Sequence, residues 1–354
     1  MTRPELVLLL VGFGHVGRRF VHLLGEIAPR LDIACRLGAI ATRHHGTVID
    51  PAGIDGARAA ALVADGWSLD RLDAAPRERT GAALLREALD RFAPEAAEGR
   101  LVVVETTVLD ITAGEPAVSH VRTALEGRAH VVTANKGPVA FAHRALEALA
   151  ESVDRVFLFE GAVMDGIPVF NLVRETMPAV RVQAFRGVIN TTCNYVLDAL
   201  ADGAEMPDAV AEMQARGIAE ADPSLDLEGW DAAAKAAALA NVLLGGDLTP
   251  RRVDRQGITH LTGRDVRLAQ QEGRRLKLVA GGAREDRGAR AWVRVEALEP
   301  GDPLASLRGV ENALYLDTDL LGEVGIVQRS GTLTQTAYAL VSDLARIGQR
   351  VRDL

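Results

Sequence analysis

Glu5-Leu6-Val7-Leu8-Leu9-Leu10-Val11, followed at once by Gly12-Phe13-Gly14-His15-Val16-Gly17 and then by Arg18-Arg19-Phe20-Val21-His22-Leu23-Leu24, sets the architecture expected of this chain. A continuous apolar run of this length predicts a strand buried on both faces, as in a parallel sheet. The segment after the glycines carries helical periodicity. Strand, glycine turn and helix in that order give each glycine a separate role. Gly12 makes the tight turn, Gly14 lets the backbone approach a pyrophosphate, and Gly17 permits close helix–strand packing. The first N–H groups of the helix are then available to phosphate oxygens. A lone motif of this kind is weak, and a glycine turn without ligand is the alternative. The preceding strand and the position at the chain start favour dinucleotide binding.

Downstream, a second strand is expected over residues 33–41, ending at Thr42-Arg43-His44-His45. NAD sites usually place an acid here for the ribose 2′-hydroxyl, whereas NADP sites use an arginine for the 2′-phosphate. No acid occurs until Asp50, so Arg43 tips the cofactor towards NADP(H), with NAD(H) also admissible; the alternative is a solvated loop arginine. Residues 50–100 read as two amphipathic packing segments around Gly66-Trp67-Ser68. Leu101-Val102-Val103-Val104 is a buried strand, and Thr106 and Thr107 fall at its carboxyl end, where parallel sheets bind ligands. A helix near 115–127 and a strand, His130-Val131-Val132-Thr133, precede Lys136, again just beyond a strand end. Alternating strands and helices through residue 150 give an α/β fold, a Rossmann-type doubly wound parallel sheet.

The second half is expected to be an α+β domain for substrate binding and oligomerisation over 151–320. It has β-forming runs at 180–189, 253–261, 274–283 and 290–298 and a polar turn at Asn190 that opens a helix. Residues 321–354 should end in an amphipathic helix that packs back on the nucleotide domain. Between these lies the least ordinary chemistry of the chain. From Ala232 to Gly246 the sequence is Ala, Leu and Val broken by Lys235, Asn241 and two glycines, a helix apolar nearly all round and therefore buried. Lys235 is its only charge, and an ammonium group there needs a partner. Asp231 stands one turn earlier on the same face. Glu220, Asp222, Asp226 and Glu228 precede it in a Gly/Pro-punctuated loop able to fold carboxylates over the helix start. The alternative is a capped helix with an ordinary surface ion pair.

Composition narrows the classes further. The chain has 354 residues, enough for two domains, and is 48% hydrophobic and 25% charged with a formal net charge of −8. That balance disfavours nonspecific nucleic-acid or anionic-membrane binding. The two cysteines, Cys35 and Cys193, are expected to be buried free thiols, in keeping with a reducing, cytoplasmic setting. The apolar start is too short to span a bilayer and runs into the glycine motif instead of a cleavage site.

The stretch Gly217 to Lys235 follows the pattern G-x-x-x-x-D/N/S-P-x-x-D-x-x-G-x-D-x-x-x-K throughout, and in this the chain resembles the homoserine dehydrogenases. Supporting matches are the glycine motif, Thr133-Ala134-Asn135-Lys136, the turn from Glu160 to Pro168, and Gly187-Val188-Ile189-Asn190-Thr191-Thr192-Cys193-Asn194-Tyr195. Departures are Met213 where the signature usually opens with alanine, Thr191 where the family more often has glycine, and Asp165 where a small residue is expected. The resemblance covers nearly the whole chain and matches the family's short form, without a C-terminal regulatory domain.

The resemblance implies reduction of aspartate 4-semialdehyde to homoserine with NAD(P)H, on the route to threonine, methionine and isoleucine. Lys235 would be the proton donor, tuned by Asp231. Glu220 would bind the substrate ammonium group, Asp226 would help fix the substrate, and Lys136 would share the acid/base role. Gly12, Phe13, Gly14, His15, Val16, Gly17, Arg43, Thr106, Thr107, Lys136 and Gly331 would contact the cofactor. A monovalent cation, Na+ or K+, would sit on the backbone carbonyls of Glu160, Val163, Asp165 and Ile167. A homodimer or homotetramer is expected. Two alternatives stay open: the same scaffold acting on another amino-acid semialdehyde or oxo acid, and a catalytically silent NADP-binding subunit.

Overall fold

The structure, a computed structural model, describes residues 3–73, 80–215 and 222–353. It divides into two compact units, Met1–Pro168 with Thr332–Leu354, and Val169–Gly331.

The first unit is built on a six-stranded sheet of order β3-β2-β1-β4-β5-β6. Its strands are β1 (Glu5–Val11), β2 (Ala34–Ala41), β3 (Thr47–Ile49), β4 (Leu101–Glu105), β5 (His130–Thr133) and β6 (Phe157–Leu158). All neighbours run parallel except β2 and β3, which form an antiparallel hairpin at one edge. The apolar runs of β1 and β4 are almost wholly buried, as expected for strands covered on both faces. The connecting helices are α1 (His15–Ile27), α2 (Gly56–Ala64), α3 (Gly81–Arg91), α4 (Ala93–Ala97), α5 (Ala117–Glu126) and α6 (Lys136–Ser152). The C-terminal helix (Leu333–Arg352) packs along α1 and buries Ala337, Leu340, Leu344 and Ile347 in the same core as Leu8, Phe20 and Leu23. The strand order and the helices that connect the parallel strands are those of a Rossmann-type nucleotide fold.

The second unit carries a sheet of order β12-β11-β7-β9-β10-β8. Its elements in chain order are β7 (Val182–Val188), α7 (Thr191–Ala201), α8 (Met206–Ala215), α9 (Ser224–Leu227), α10 (Trp230–Leu243), β8 (Asp254–Arg255), α11 (Gly263–Gln271), β9 (Arg275–Glu285), β10 (Gly288–Leu298), β11 (Asn312–Thr318) and β12 (Gly322–Gln328). All described pairs are antiparallel except β8 with β10. α10 lies against β9 and β10, and its run from Ala232 to Ala240 is buried apart from Lys235. That small-residue surface allows the helix to lie close to the sheet.

Three expectations shift. The boundary expected near residue 150 falls between Pro168 and Val169, because β6 extends the first sheet by pairing parallel with β5. The C-terminal return begins at Thr332 and not at 321, because β12 pairs with β11 in the second sheet. Of the β-forming run 253–261, only Asp254–Arg255 is a strand; Ile258 turns back so that its amide donates to Leu227 O at 2.7 Å.

Candidate active site

In the first unit, strand order reverses between β1 and β4, and open parallel sheets bind ligands at the carboxyl ends of the strands flanking such a switch. Gly12 follows β1 at φ +93°, and a Cβ on it would lie 2.6 Å from the carbonyl carbon of Thr106. No side chain fits there. Thr106 closes the contact from the β4 side: its amide donates to Val11 O at 2.8 Å and its hydroxyl to Gly12 O at 2.9 Å. A Cβ on Gly17 would stand 3.0 Å from Gly12 O, so helix and turn touch through main chain. Gly14, the N-cap of α1, makes no side-chain cap bond, and a Cβ there would meet nothing within 4 Å. The exposed helix start and the open approach at Gly14 fit a dinucleotide pyrophosphate.

Phe13 is buried in the core and Val16 packs against it, so these two reach a ligand only through their main chain. His15 is exposed. Arg43 is also exposed, in the β2–β3 hairpin turn that Thr42 holds by accepting from His45 N at 2.7 Å and donating to Gly46 O at 2.9 Å.

Beside the crevice, fully buried Glu105 organises the ends of β4 and β5. It accepts from Thr107 N at 2.9 Å, from the Thr107 hydroxyl, and from Thr133 Oγ1 at 2.9 Å. Thr133 Oγ1 in turn accepts from Asn135 N at 2.9 Å. Asn135 donates through Nδ2 to Thr107 O at 2.9 Å and caps α6 by accepting from Gly137 N at 2.8 Å. Lys136 is the first residue of that capped helix and half-buried, its backbone set by this network.

In the second unit, a cluster forms where α7, α9 and α10 begin. Lys235 Nζ lies 3.2 Å from Asp231 Oδ2 and donates to Ile189 O at 2.8 Å. Its side chain is 16% exposed and that of Asp231 17%, so the pair is largely removed from water yet open on one side. Asn190, the N-cap of α7, accepts from Cys193 N through Oδ1 at 2.8 Å. Its Nδ2 is thereby aimed at both carboxylates, donating to Asp226 Oδ1 at 2.7 Å and to Asp231 Oδ2 at 2.9 Å. Thr192 Oγ1 donates to the other Asp226 oxygen at 3.1 Å. Burial, and then the charge of Asp231, raise the Asp226 pKa above the usual carboxylate value. Burial likewise pushes the Cys193 thiol well up, so this cysteine is inert. Thr191 directs its hydroxyl to β11, accepting from Asn312 Nδ2 at 3.0 Å.

The structure brings Asp226, Asp231 and Lys235 together. Asp222 and Glu228 stay out: both are exposed, Asp222 accepting from Ser224 N and Glu228 from Trp230 Nε1. Among its described residues the loop thus folds one carboxylate over the helix start, in place of the several expected. Glu220 lies outside the described residues. Gly331 is half-buried, directly before the C-terminal helix. In the loop 160–167, Glu160 is buried and its amide donates to Asp343 Oδ2 at 3.0 Å. Asp165 takes a left-handed φ of +50°, a conformation that suits glycine first and Asp or Asn next, and accepts from Thr336 Oγ1 at 3.0 Å. Among the described residues no group of three or more His, Cys, Asp and Glu is placed to hold a metal ion.

A glycine turn of dinucleotide-binding form in one unit and a largely buried ammonium–carboxylate cluster in the other fit one class, an NAD(P)-dependent oxidoreductase. Comparison with known proteins narrows it. The homoserine dehydrogenase family model matches residues 168–345. The chain is 34% identical over 350 residues to the NAD(+)-dependent homoserine dehydrogenase of Pseudomonas canavaninivorans, covering 98% of this chain and 97% of that one. It is 32% identical over 345 residues to the homoserine dehydrogenase of Methanocaldococcus jannaschii, covering 96% and 98%. A crystal structure of a homoserine dehydrogenase from Thiobacillus denitrificans is similar with a TM-score of 0.77 at 30% identity, over 98% of this chain and 73% of that one. The chain belongs to the homoserine dehydrogenase family.

Proposed function

We propose that the chain interconverts L-aspartate 4-semialdehyde and L-homoserine, with Lys235 as the proton donor to the carbonyl oxygen and NADP(H) as the preferred cofactor. The observation that carries this reading is the seating of Lys235. Its ammonium group has three N–H bonds: one is donated to the carbonyl of Ile189, Asp231 pairs with the charge at 3.2 Å, and donor capacity remains for a substrate oxygen. The nicotinamide supplies or accepts the hydride. As the aldehyde oxygen gains negative charge, Lys235 stands ready to stabilise it and pass on a proton; in the reverse direction the neutral amine takes the alcohol proton. Asp231 keeps the ammonium oriented. Asp226, though engaged by Asn190 and Thr192, keeps lone pairs for the substrate, since each carboxylate has about four acceptor sites. Glu220 would bind the substrate ammonium group and Lys136 would share the acid/base work, both on the strength of the family pattern.

On the nucleotide side, Gly12 to Gly17, Thr106, Thr107 and Gly331 are the proposed contacts. Arg43, exposed just after β2 with no acid at that strand end, is the proposed partner of a 2′-phosphate. The relative from Pseudomonas canavaninivorans is named NAD(+)-dependent; the NADP preference proposed for this chain rests on Arg43 and on the lack of an acid at the end of β2. Na+ or K+ is proposed at the carbonyls of Glu160, Val163, Asp165 and Ile167, in a loop whose Glu160 amide is fixed by Asp343 of the C-terminal helix. Self-association, as a homodimer or homotetramer, is proposed through the face of the second sheet opposite α10. There β10 presents Trp292 with the guanidinium groups of Arg290 and Arg294 at 5.1 and 5.3 Å from its ring. The setting is proposed to be cytoplasmic: both cysteines are free, and no helix among the described residues is long and apolar enough to cross a membrane.

Oxidation of L-homoserine, followed through reduced nicotinamide with NADP+ and NAD+ in turn, tests the reading. Turnover with a higher kcat/KM for NADP+ is expected. Cofactor binding without turnover, or turnover only with another amino-acid alcohol, would overturn the substrate assignment, and equal or reversed values would remove the NADP preference alone.

A further inference from the structure

On the second unit, at the start of β9, a cavity of about 360 Å³ is lined by Arg274, Arg275 and Arg308 together with Gln270 and Ser306, and no carboxylate among the described residues lines it. Arg274 reaches outward to Glu299 at 3.4 Å, and Arg308 reaches Asp198 at 3.4 Å. Arg275 has a different place: its Nη1 is buried with no hydrogen-bond partner among the described residues. A buried guanidinium nitrogen without an acceptor is costly, and because Arg275 also lines the cavity, a small turn of its guanidinium towards an anion there would satisfy it.

The ground beneath the cavity is also cationic. Lys277, two residues along β9, is buried and donates to Asn194 Oδ1 at 2.6 Å, Asp198 Oδ1 at 3.0 Å and Leu307 O at 2.7 Å. Burial lowers its pKa first; the Asp198 carboxylate acts the other way, and the charges of Arg308 and Arg275 lower it again. Asp198 is committed as well, accepting from Gly309 N at 2.7 Å. Around and beneath the cavity, five cations, Arg274, Arg275, Lys277, Arg308 and Arg329, stand with three carboxylates, Asp198, Glu299 and Glu311, a surplus of two positive charges.

We infer that this cavity is a binding site for a phosphate dianion, free or as a small monoester, distinct from both the glycine turn and the Lys235 cluster. Planar guanidinium forks suit the oxygens of a tetrahedral phosphate, and its double charge matches the local surplus. Gln270 adds a side-chain amide donor at the wall, while the Ser306 hydroxyl is given to Pro303 O at 2.8 Å.

The test is titration calorimetry with inorganic phosphate on the full chain whose nucleotide crevice is already saturated with NADP+, so that phosphate cannot register there. One saturable site per chain is expected, with glycerol 3-phosphate as the arm that separates free phosphate from a monoester; saturation by either supports the site. Arg275→Gln and Arg308→Gln should each weaken binding at least about fivefold while homoserine oxidation stays at the wild-type rate, which also shows that the variants fold. Absence of saturable binding by both probes, or affinity unchanged in both variants, overturns the inference.

Discussion

The glycine crevice of the first unit and the charged cluster of the second are made of different materials. The crevice is main chain: Gly12, Gly14 and Gly17 act by lacking side chains, and Thr106 ties the turn to β4. The cluster is side chain: Asp226 and Asp231 are held by Asn190 and Thr192, and Lys235 by Asp231 and the carbonyl of Ile189. A substitution in the crevice should therefore change the fold and the proposed ligand site together, whereas one in the cluster should change the proposed chemistry and leave the fold standing.

Gly12→Ala should produce the largest loss of stability. It combines a positive φ with a Cβ 2.6 Å from backbone that cannot move aside, and should cost about 4 kcal/mol along with cofactor binding. Thermal unfolding and dinucleotide titration check both; a variant of native stability would break the distinction between the two regions.

Acid should also separate the units. His130 accepts from Val156 N through Nδ1 at 3.1 Å and meets Gly99 O through Nε2 at 3.1 Å, an arrangement that requires the neutral ring. Burial first, then Arg155, lowers its pKa from 6.5 to about 4. A base with a depressed folded pKa contributes stability above its unfolded value, so about 3 kcal/mol should be lost as pH falls from 6.5 to about 4. Asp226 has the opposite sign: its raised pKa makes its contribution present in acid and lost as pH rises through the folded value. Hydrogen exchange should therefore show β5 amides losing protection over that acid range before those of α10, and simultaneous loss would contradict the comparison.

The smallest of these effects is expected at Asn190. Removing its amide in Asn190→Ala takes away the donor shared by Asp226 and Asp231 and should lower kcat about tenfold, with the pH–rate profile displaced as the two carboxylates repel. An unshifted profile would reduce Asn190 to a helix cap.

How much of this is legible in the sequence follows the same division. The glycine turn acts locally, so spacing alone places it, and the burial of α10 with its Asp231–Lys235 pair follows from composition and i,i+4 geometry. Asn190 marks a helix start, yet its service to Asp226 and Asp231 depends on contacts 36 and 41 residues away, which no local pattern carries. The carboxylate loop is only partly legible for a related reason. Asp222 and Asp226 read alike in sequence, and only packing turns the second inward and leaves the first on Ser224. β12 leaves little mark because it is an exposed edge strand containing Gly325, with little apolar alternation, and β11, its hairpin partner, goes unread with it. β3 is three residues long, too short for any period to show.

The proposed chemistry depends above all on Lys235 handling the proton. Lys235→Ala isolates that step, with turnover of homoserine and binding of NADP+ measured on the same preparation. A fall in kcat of at least about a thousandfold is expected, with cofactor affinity within about twofold of wild type. A variant that turns over at a rate near wild type would contradict the assignment.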